Sequence, residues 1–408
     1  MTISVYPATV DANIKAQDSP SVDAFGRWRV SMPHVLFDTK LTHSAEPEFW
    51  DDSEVSGTGT TSTHDADRAS VVMAVTASTA GKRVRQTFSR PNYQPGKSQL
   101  VVMTGILGTG ESGLTTEIGQ HDDKNGAFFR NEDGVVYVVK KSYATGTAVD
   151  TTVAQSSWNL DKMDGTGSSG ITVDWSKTQI FLMDYQWLGV GRVRFGLDIN
   201  GIIYYVHEML HANALDVVFM STPNNPLRYS IENDGTAGAA SMEHLCSSVA
   251  SECGRDETGV DYWYSTEGTH VDANAANAIY ALVGVRLQTG HTGEPVQFRS
   301  ASVLTQTNDD FEWLLFRNPT VAGTFTYNDA TSGPFQYAKG ATVNTVTPTG
   351  DAIAGGFGHS GESKSSSIFY EGGFGEAIDG TRDEFVLCVR PLSANADIEG
   401  GLTLSVNH

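Results

Sequence analysis

Short apolar stretches separated by turn residues recur along most of the chain. Residues 25–30 alternate aromatic or apolar side chains with Gly or Arg, which is the pattern of a half-buried strand. Residues 100–104 form a continuous apolar run, which predicts a strand that is buried on both faces. Residues 126–130 and 135–139 flank an Asp-Gly step and predict a hairpin. No segment has a helical pattern long enough to predict a helix.

Further predicted strands are separated by long polar segments. Residues 143–172 and 327–382 are rich in small residues, and loops of this length usually have a functional or contact-making role. Residues 243–253 fit both the spacing of a helix face and that of a strand face. These patterns predict an all-β protein with a β-sandwich or jelly-roll-like body and long loops. The further strands are predicted at residues 70–75, 83–88, 179–184, 192–197, 202–206, 282–287, 311–316 and 384–389.

The same patterns divide the chain into three parts. Residues 1–22 have few large apolar groups and predict an extended N-terminal arm, which becomes ordered only where a neighbour holds it. Residues 23–326 contain most of the predicted strands and form the main β-rich body. Residues 327–408 form a C-terminal β segment with loops rich in Gly, Ser and Thr.

Composition narrows the classes of protein that fit this pattern. The chain has 408 residues, with 27 Lys plus Arg and 48 Asp plus Glu, which gives a formal charge of −21. Such an acidic chain lacks the basic face that binds nucleic acid or anionic lipid. The 42 glycines and a charged fraction of only 18% favour a turn-rich β protein over a helical one.

The cysteines and the N-terminal sequence indicate where the chain folds. Cys246, Cys253 and Cys388 make no disulfide framework and predict reduced thiols in a chain that folds in a cytoplasm. The N-terminal residues have neither the basic nor the apolar region of a signal peptide. No apolar run reaches the length of a membrane helix. We therefore expect no membrane insertion and no nucleic-acid partner.

The sharpest chemical motif is His-Glu-x-x-His at residues 207–211. On a helix, this spacing places two imidazoles on one face to bind Zn²⁺, with Glu208 as the general base. Here the motif directly follows a strand-like run, and the candidate third ligand, Glu232, lies in a segment that resembles a loop and a strand. We therefore interpret His207 and His211 as hydrogen-bonding residues at a strand end and expect no cofactor. A structural metal at these two residues is the first alternative, and a metallopeptidase is the second.

Two pairs of acids also suggest a site at first sight. Asp51–Asp52 and Asp122–Asp123 are residue types that bind Ca²⁺ or act as paired acid and base. Neither pair has the spacing of a calcium-binding loop. Because turns commonly use Asp and Asn, both pairs predict solvated turn acids.

Aromatic residues at predicted loop edges form a candidate binding surface. Such rings suit a sugar or a receptor, because they offer apolar area beside a polar group. Burial of the same rings in strand cores is the alternative. The candidates are Trp158, Tyr185, Trp187, Tyr262 and Trp263, with the neighbouring Tyr264.

Several short blocks between residues 23 and 324 combine aromatic, Gly and Pro residues in distinctive orders. The blocks are residues 23–31 (DAFGRWRVS), 36–40 (LFDTK), 49–52 (FWDD), 92–99 (NYQPGKSQ), 184–194 (DYQWLGVGRVR), 220–229 (MSTPNNPLRY) and 318–324 (NPTVAGT). Together they resemble an uncharacterised family of virion structural proteins of tailed bacteriophages. We attach no catalytic role to these blocks.

The resemblance implies a building block of the virion and not an enzyme. The expected position is the tail, baseplate or fibre assembly, with a contribution to host attachment. The expected partners are copies of the chain, in a homotrimer or another cyclic oligomer, other virion proteins, and a glycan or receptor on the host surface. A capsid decoration or head-fibre protein is the first alternative, and a metal-dependent hydrolase that uses His207, Glu208 and His211 is the second. The expected location is the virion, after synthesis in the host cytoplasm.

Overall fold

Antiparallel β-strands form most of the described chain. The structure is a computed structural model, and it describes residues 22–29, 33–255, 259–307, 309–359, 363–368, 373–393 and 395–407. The predicted N-terminal arm lies outside these ranges, apart from Val22. Within these ranges, the one helical element is a single 3-10 turn, Gln155–Ser157. The predicted all-β fold class is confirmed.

The N-terminal half of the chain forms a sandwich of two sheets, which we call the first sandwich. Its strands are β1 (His34–Lys40), β2 (Trp50–Gly57), β3 (Thr60–Asp65), β4 (Ser70–Val75), β5 (Gly81–Thr87), β6 (Gln99–Ile106), β7 (Leu114–His121), β8 (Gly126–Glu132), β9 (Val135–Ser142), β10 (Val149–Ala154), β11 (Gln179–Tyr185), β12 (Val193–Ile199), β13 (Ile202–Met209), β14 (Leu227–Asn233) and β15 (Ala240–Ser251). One sheet has the order β13-β12-β11-β6-β15-β4-β3, with β1 also paired to β15. The other sheet has the order β10-β9-β8-β7-β14-β5-β2.

The C-terminal half forms a second sandwich. Its strands are β16 (Gly259–Ser265), β17 (Val271–Ala273), β18 (Tyr280–Leu287), β19 (Val296–Thr305), β20 (Phe311–Arg317), β21 (Thr320–Val321), β22 (Asn328–Asp329), β23 (Phe335–Lys339), β24 (Val346–Thr347), β25 (Ala354–Gly358), β26 (Ser363–Ser367), β27 (Glu384–Pro391) and β28 (Ala396–Asn407). One sheet has the order β16-β28-β19-β26, with β17 on β28, and the other has the order β22-β23-β18-β27-β20-β25. The short strands β21 and β24 form a separate pair.

Alternation along each strand builds the core of the first sandwich. In β6, Val101 and Met103 are fully buried, while Val102 between them lies on the other face of the sheet. Three buried phenylalanines connect the two sheets: the ring centroid of Phe129 lies 5.1 Å from that of Phe181 and 5.7 Å from that of Phe195. Edge-to-face and tilted ring pairs at such distances add to the stabilisation from apolar burial.

The second sandwich has its own aromatic core. The ring centroid of Phe385 lies 5.0 Å from that of Phe298 and 4.5 Å from that of Phe374. Cys388 is buried in a separate, smaller cluster, whereas Cys246 and Cys253 are exposed, and all three are free thiols.

The two cores divide the chain at a different place from the predicted boundary at residue 326. The first core ends at Val249, and the second begins at Tyr264. Residue 326 falls inside the second sandwich, because β18 on one side of it pairs with β23 and β27 on the other. The strands that follow residue 327, β22 to β28, pair mainly with earlier strands of the second sandwich, so the composition change there marks no domain boundary. Residues 243–251 of the ambiguous stretch belong to strand β15.

Polar contacts join the two sandwiches. Arg317 donates from Nη1 to the Glu48 carbonyl oxygen at 2.9 Å, and its guanidinium carbon lies 4.5 Å from the centre of the Phe88 ring. The backbone N–H of Ile378 donates to Oδ2 of Asp51 at 2.7 Å. These contacts place the start of strand β2 against the end of strand β20 and the loop that contains Ile378.

Candidate functional site

A pair of opposite charges is buried on the outward face of the sheet that runs from β13 to β3 in the first sandwich, which we call the first sheet. Alternation along β11 places Met183 and Tyr185 in the core, so that Asp184 points to the opposite face. Arg194 lies directly across from Asp184 on β12. The exposed fraction is 0% for Asp184 and 1% for Arg194, which is rare for charged residues unless they are paired.

Several donors converge on the Asp184 carboxylate. Arg194 donates from Nη2 to Oδ2 at 2.5 Å, and the Tyr205 hydroxyl donates to the same oxygen at 2.6 Å. Ser98 donates from Oγ to Oδ1 at 3.1 Å, and Arg29 also contacts Oδ2. Burial and the adjacent Asp184 raise the pKa of Tyr205 well above its ordinary value, so its hydroxyl remains a donor. Charge-assisted hydrogen bonds of this kind are stronger than neutral ones.

Residues 22–29, which we call the N-terminal segment, cover this charge pair. Arg194 donates from Nη2 to the Val22 carbonyl oxygen at 2.8 Å, and Arg192 donates from Nε to the Ala24 carbonyl oxygen at 2.5 Å. The segment turns at Gly26, whose φ of +80° favours glycine. Both Val22 and Ala24 are 1% exposed, whereas Trp28 points outwards.

Arg29 connects the N-terminal segment to two carboxylates at once. Its guanidinium contacts Asp184 and Glu252, and Glu252 is buried just beyond the end of strand β15. Burial, together with the negative charge of Asp184, raises the pKa of Glu252 to about 7, although Arg29 opposes the shift. We call Asp184, Arg194, Arg29, Glu252 and Tyr205 the charge cluster.

Residues from four of the sequence blocks meet around the charge cluster, and Arg29 is the one from block 23–31. Asp184 and Arg194 lie in block 184–194, and Ser98 lies in block 92–99. From block 92–99 as well, the Tyr93 hydroxyl accepts a hydrogen bond from the backbone N–H of Trp187 at 2.9 Å. The same tyrosine's N–H donates to Oδ1 of Asn224, in block 220–229, at 2.9 Å.

The arrangement joins distant parts of the chain by compensated charges. Residues near positions 25, 95, 190 and 224 become one hydrogen-bonded unit, and each buried charge has an opposite charge beside it. Removing one partner of such a cluster leaves a buried charge uncompensated, which is strongly unfavourable. The charge cluster can therefore fix the N-terminal segment on the sandwich, and its Glu252 can change protonation near neutral pH.

A groove of about 680 Å³ lies where the two sandwiches meet. Arg228 donates from Nη1 to Oδ1 of Asp123 at 2.5 Å and from Nε to Gln86 at 2.8 Å. Asp51 lies on strand β2 and accepts from the second sandwich, so it is not a solvated turn acid. Asp122 also has a partner, since Arg90 donates to it at 2.7 Å. The groove is lined by Asp51, Ser53, Glu54, Val55, Ser56, Lys82, Val84, Asp123, Arg228, Ala377, Ile378 and Asp379.

The His-Glu-x-x-His motif begins on strand β13 and not on a helix. His207 accepts at Nδ1 from the backbone N–H of Asn159 at 3.1 Å. His211 donates from Nδ1 to the Gly191 carbonyl oxygen at 2.5 Å and stacks on the ring of Phe219. Burial lowers the pKa of both imidazoles, so both are neutral at pH 7.

The motif has no metal-binding neighbourhood among the described residues. Glu208 lies beside Arg192, with 3.6 Å between Oε2 and Nη1. Across the described ranges, no three His, Cys, Asp or Glu side chains are grouped so that they could hold a metal ion. The geometry corresponds to hydrogen-bonded histidines at a strand end. It offers no support for a metal site at His207 and His211.

The predicted aromatic binding surface does not form as one surface. Trp158 and Tyr185 are buried in the first core, and Trp187 is half-buried with its indole N–H donating to the Met220 carbonyl oxygen at 3.0 Å. Sequence periodicity does not distinguish a ring at a loop edge from a ring that closes the core, so these three were misplaced.

The remaining aromatic candidates lie together on strand β16, on opposite faces. Tyr262 packs against the second core, and Tyr264 is buried in it. Trp263 points outwards and is 53% exposed. Of the predicted binding residues, Trp263 alone therefore has a largely free ring.

Arg29 and Glu252 are the functional candidates that sequence reasoning missed. Both depend on contacts between residues more than 150 positions apart, as the Arg29–Asp184 pair shows. No local pattern reveals such a pairing. The available signal was the resemblance itself, because Arg29 and Asp184 both lie in its blocks.

Comparison with known proteins gives similarities of fold only. Neither a family profile nor a curated protein sequence matches the chain. Among solved structures, a β-glucanase of Bacillus licheniformis is similar, with 7% identity, a TM-score of 0.33, and coverage of 54% of this chain and 99% of that chain. A legume lectin-like domain from Entamoeba histolytica has 9% identity, a TM-score of 0.30, and coverage of 52% and 96%. The CBM2 module of the evolved Dit of Lactobacillus casei BL23 phage J-1 has 9% identity, a TM-score of 0.34, and coverage of 55% and 98%.

These structures correct one prediction. The family resemblance implied that the chain is not an enzyme. That expectation is not upheld, since a β-glucanase is among the similar solved structures. At these identities and TM-scores, the likeness assigns no activity.

The described part of the chain also contains no helix that is long and apolar enough to span a membrane.

The charge cluster predicts the effect of Asp184→Asn on stability. The substitution removes the negative charge that both Arg29 and Arg194 face. We expect the free energy of unfolding to fall by about 3–5 kcal/mol, as measured by chemical denaturation at pH 7.5. The control is Glu232→Gln, which breaks a partly exposed pair with Lys82 and should change the value by less than about 1 kcal/mol. Equal stabilities of Asp184→Asn and the control would contradict the prediction.

The raised pKa of Glu252 predicts a pH dependence. Its pKa is about 7 in the folded chain, against an ordinary value of 4.5, so the folded state binds this proton more tightly than the unfolded state. The corresponding stability is fully present below about pH 4.5 and is lost as the pH rises through 7. Relative to the Glu252→Gln variant, the wild type should lose about 1–3 kcal/mol between pH 5 and 8 in denaturation experiments. Parallel pH profiles of the two proteins would show that Glu252 does not titrate in this range.

Proposed function

We propose that the chain is a structural component of a tailed-phage virion, located in the tail, baseplate or fibre assembly, with a contribution to host attachment. The observation that carries the proposal is the convergence of the sequence blocks on the charge cluster. If the virion uses the shape of this protein, we expect the blocks that resemble a virion structural family to contain the residues that fix that shape. Asp184, Arg194 and Arg29 do this by joining the N-terminal segment to the first sandwich.

The position of the N-terminal segment supports a role in assembly. Val22 is held by Arg194 on the outer face of the first sheet, where it is buried. A closed cyclic oligomer, such as a homotrimer, is the assembly that we propose.

The arrangement of the two sandwiches is also suited to a component of a virus particle. Each sandwich has its own core, and backbone and side-chain hydrogen bonds fix one against the other. A formal charge of −21 keeps free subunits soluble and mutually repelling before they assemble.

The direct test locates the chain in particles. Virions from a culture of the phage that encodes the chain would be purified on a density gradient, and their proteins would be identified by mass spectrometry. Antibodies raised against the purified chain would then be used with gold labelling in electron microscopy. We expect the chain among the virion proteins, with label on the tail or its fibres.

Two outcomes would overturn the proposal. Absence of the chain from purified virions, while it is present in the infected-cell lysate, would exclude a virion component. Label confined to the head shell would exclude the tail and favour a capsid decoration or head-fibre protein.

A further inference from the structure

Trp263 lies on the outward face of the second sandwich, where neighbouring residues fix the position of its ring. Its strand, β16, is an edge strand, and alternation sends Tyr262 and Tyr264 towards the core and Trp263 outwards. The Trp263 ring lies against Gly401 on the adjacent strand β28. A Cβ at Gly401 would come within 2.4 Å of Cζ2 of the ring, so only glycine leaves room for it there. The backbone fixes one side of the ring, and the ring remains 53% exposed.

Hydroxyl groups extend from Trp263 across the same face of the sheet. Thr403 stands directly across from Trp263 in the strand register, and Ser300 stands across from Thr403. The Ser300 hydroxyl donates to Oγ1 of Thr403 at 3.2 Å. Ser302 lies across from Gly401, next in the same row. The ring is therefore bordered by hydroxyl groups and not by an apolar patch.

A charged pair lies at one end of this face. Asp261 is two residues from Trp263 on the same strand, and its Oδ1 lies 3.9 Å from Nε of Arg299. Arg299 also donates from Nη2 to Oγ of Ser405 at 3.4 Å. The Asp261 side chain is 62% exposed, so its oxygens remain accessible to a ligand.

From this geometry, we propose that the face formed by Trp263, Thr403, Ser300, Asp261 and Arg299 is a binding site for a neutral saccharide. One side of a pyranose ring carries mainly C–H groups, and this side packs on the free face of the indole. The hydroxyl groups and the Asp261–Arg299 pair then donate to and accept from the hydroxyl groups at the sugar's rim. The inference rests on the proposed function, since it supplies the ligand class for host attachment.

Charge and polarity select this ligand over other occupants. A chain with a formal charge of −21 repels anionic glycans, and Arg299 is already paired with Asp261, so a neutral sugar fits best. The buried centre of a protein–protein interface is usually apolar, with few charges. Here a single ring is surrounded by hydroxyl groups, which matches a small polyhydroxylated ligand.

The experiment measures binding of the purified full-length chain to neutral oligosaccharides. The probes are immobilised glucose-, galactose- and mannose-based oligosaccharides, followed by titration calorimetry with the best of them. We expect the wild type to bind at least one probe and Trp263→Ala to bind it at least about tenfold more weakly. Trp28→Ala removes an even more exposed tryptophan from the first sandwich and should bind within about twofold of the wild type.

A second variant guards against a folding defect in Trp263→Ala. Thr403→Val keeps the shape of the side chain but removes the hydroxyl group beside the ring, and it should weaken binding severalfold. Lack of wild-type binding to every probe would overturn the inference, and so would equal binding by the wild type and folded Trp263→Ala. Either result leaves the virion assay unaffected, because that assay reads the presence of the chain in particles and not its ligand.

Discussion

The compensated charges around Asp184 are the constraint on which the arrangement of the first sandwich depends. A carboxylate that is 0% exposed is tolerated only because Arg194, Arg29 and Tyr205 surround it with donors. Each of these donors comes from a different part of the chain. The N-terminal segment, strand β12 and strand β13 must therefore take up their positions together, since leaving any one out removes a hydrogen-bond donor from the buried Asp184 carboxylate.

This interaction specifies position more than it adds stability. Burying ion pairs costs desolvation energy that their attraction roughly offsets, so apolar residues of similar size would stabilise the same face as well. Apolar residues would, however, tolerate a shifted N-terminal segment, whereas the fork of Arg29 fits two carboxylates in one geometry. The charge cluster therefore fixes the position of residues 22–29 on the first sandwich. The second sandwich differs, because its outward face carries an exposed ring and hydroxyl groups that are suited to a ligand.

Local sequence patterns predicted much of the fold, for physical reasons. Apolar runs such as residues 100–104 became β6, and the Asp-Gly step became the β8–β9 hairpin, because alternation and turn chemistry are properties of neighbouring residues. The strand predicted after the Asn200–Gly201 turn formed as β13, which places His207 on a strand and not on a helix. The boundary between the two sandwiches was harder to predict. Strand β18 pairs with β27 across long loops, and composition does not indicate that pairing.

The candidate sites were also predictable only in part from the sequence. Side-chain chemistry alone predicted Trp263, Trp158 and Tyr185 as binding residues, and of these three the structure exposes Trp263 and buries the other two. The meeting of Arg29 with Asp184 needed the three-dimensional structure, since the two residues are far apart in sequence.

Hydrogen–deuterium exchange of the full-length chain tests the central claim most directly. The claim is that the charge cluster holds residues 22–29 on the first sheet, with the backbone N–H groups of Phe25 and Arg27 bonded to Asp23. The account predicts slow exchange in a peptide that covers this segment, and fast exchange in the same peptide when Arg29 is replaced by Met, with the strands of the second sandwich unchanged. Exchange in the wild-type segment at the rate of an unstructured peptide would contradict it.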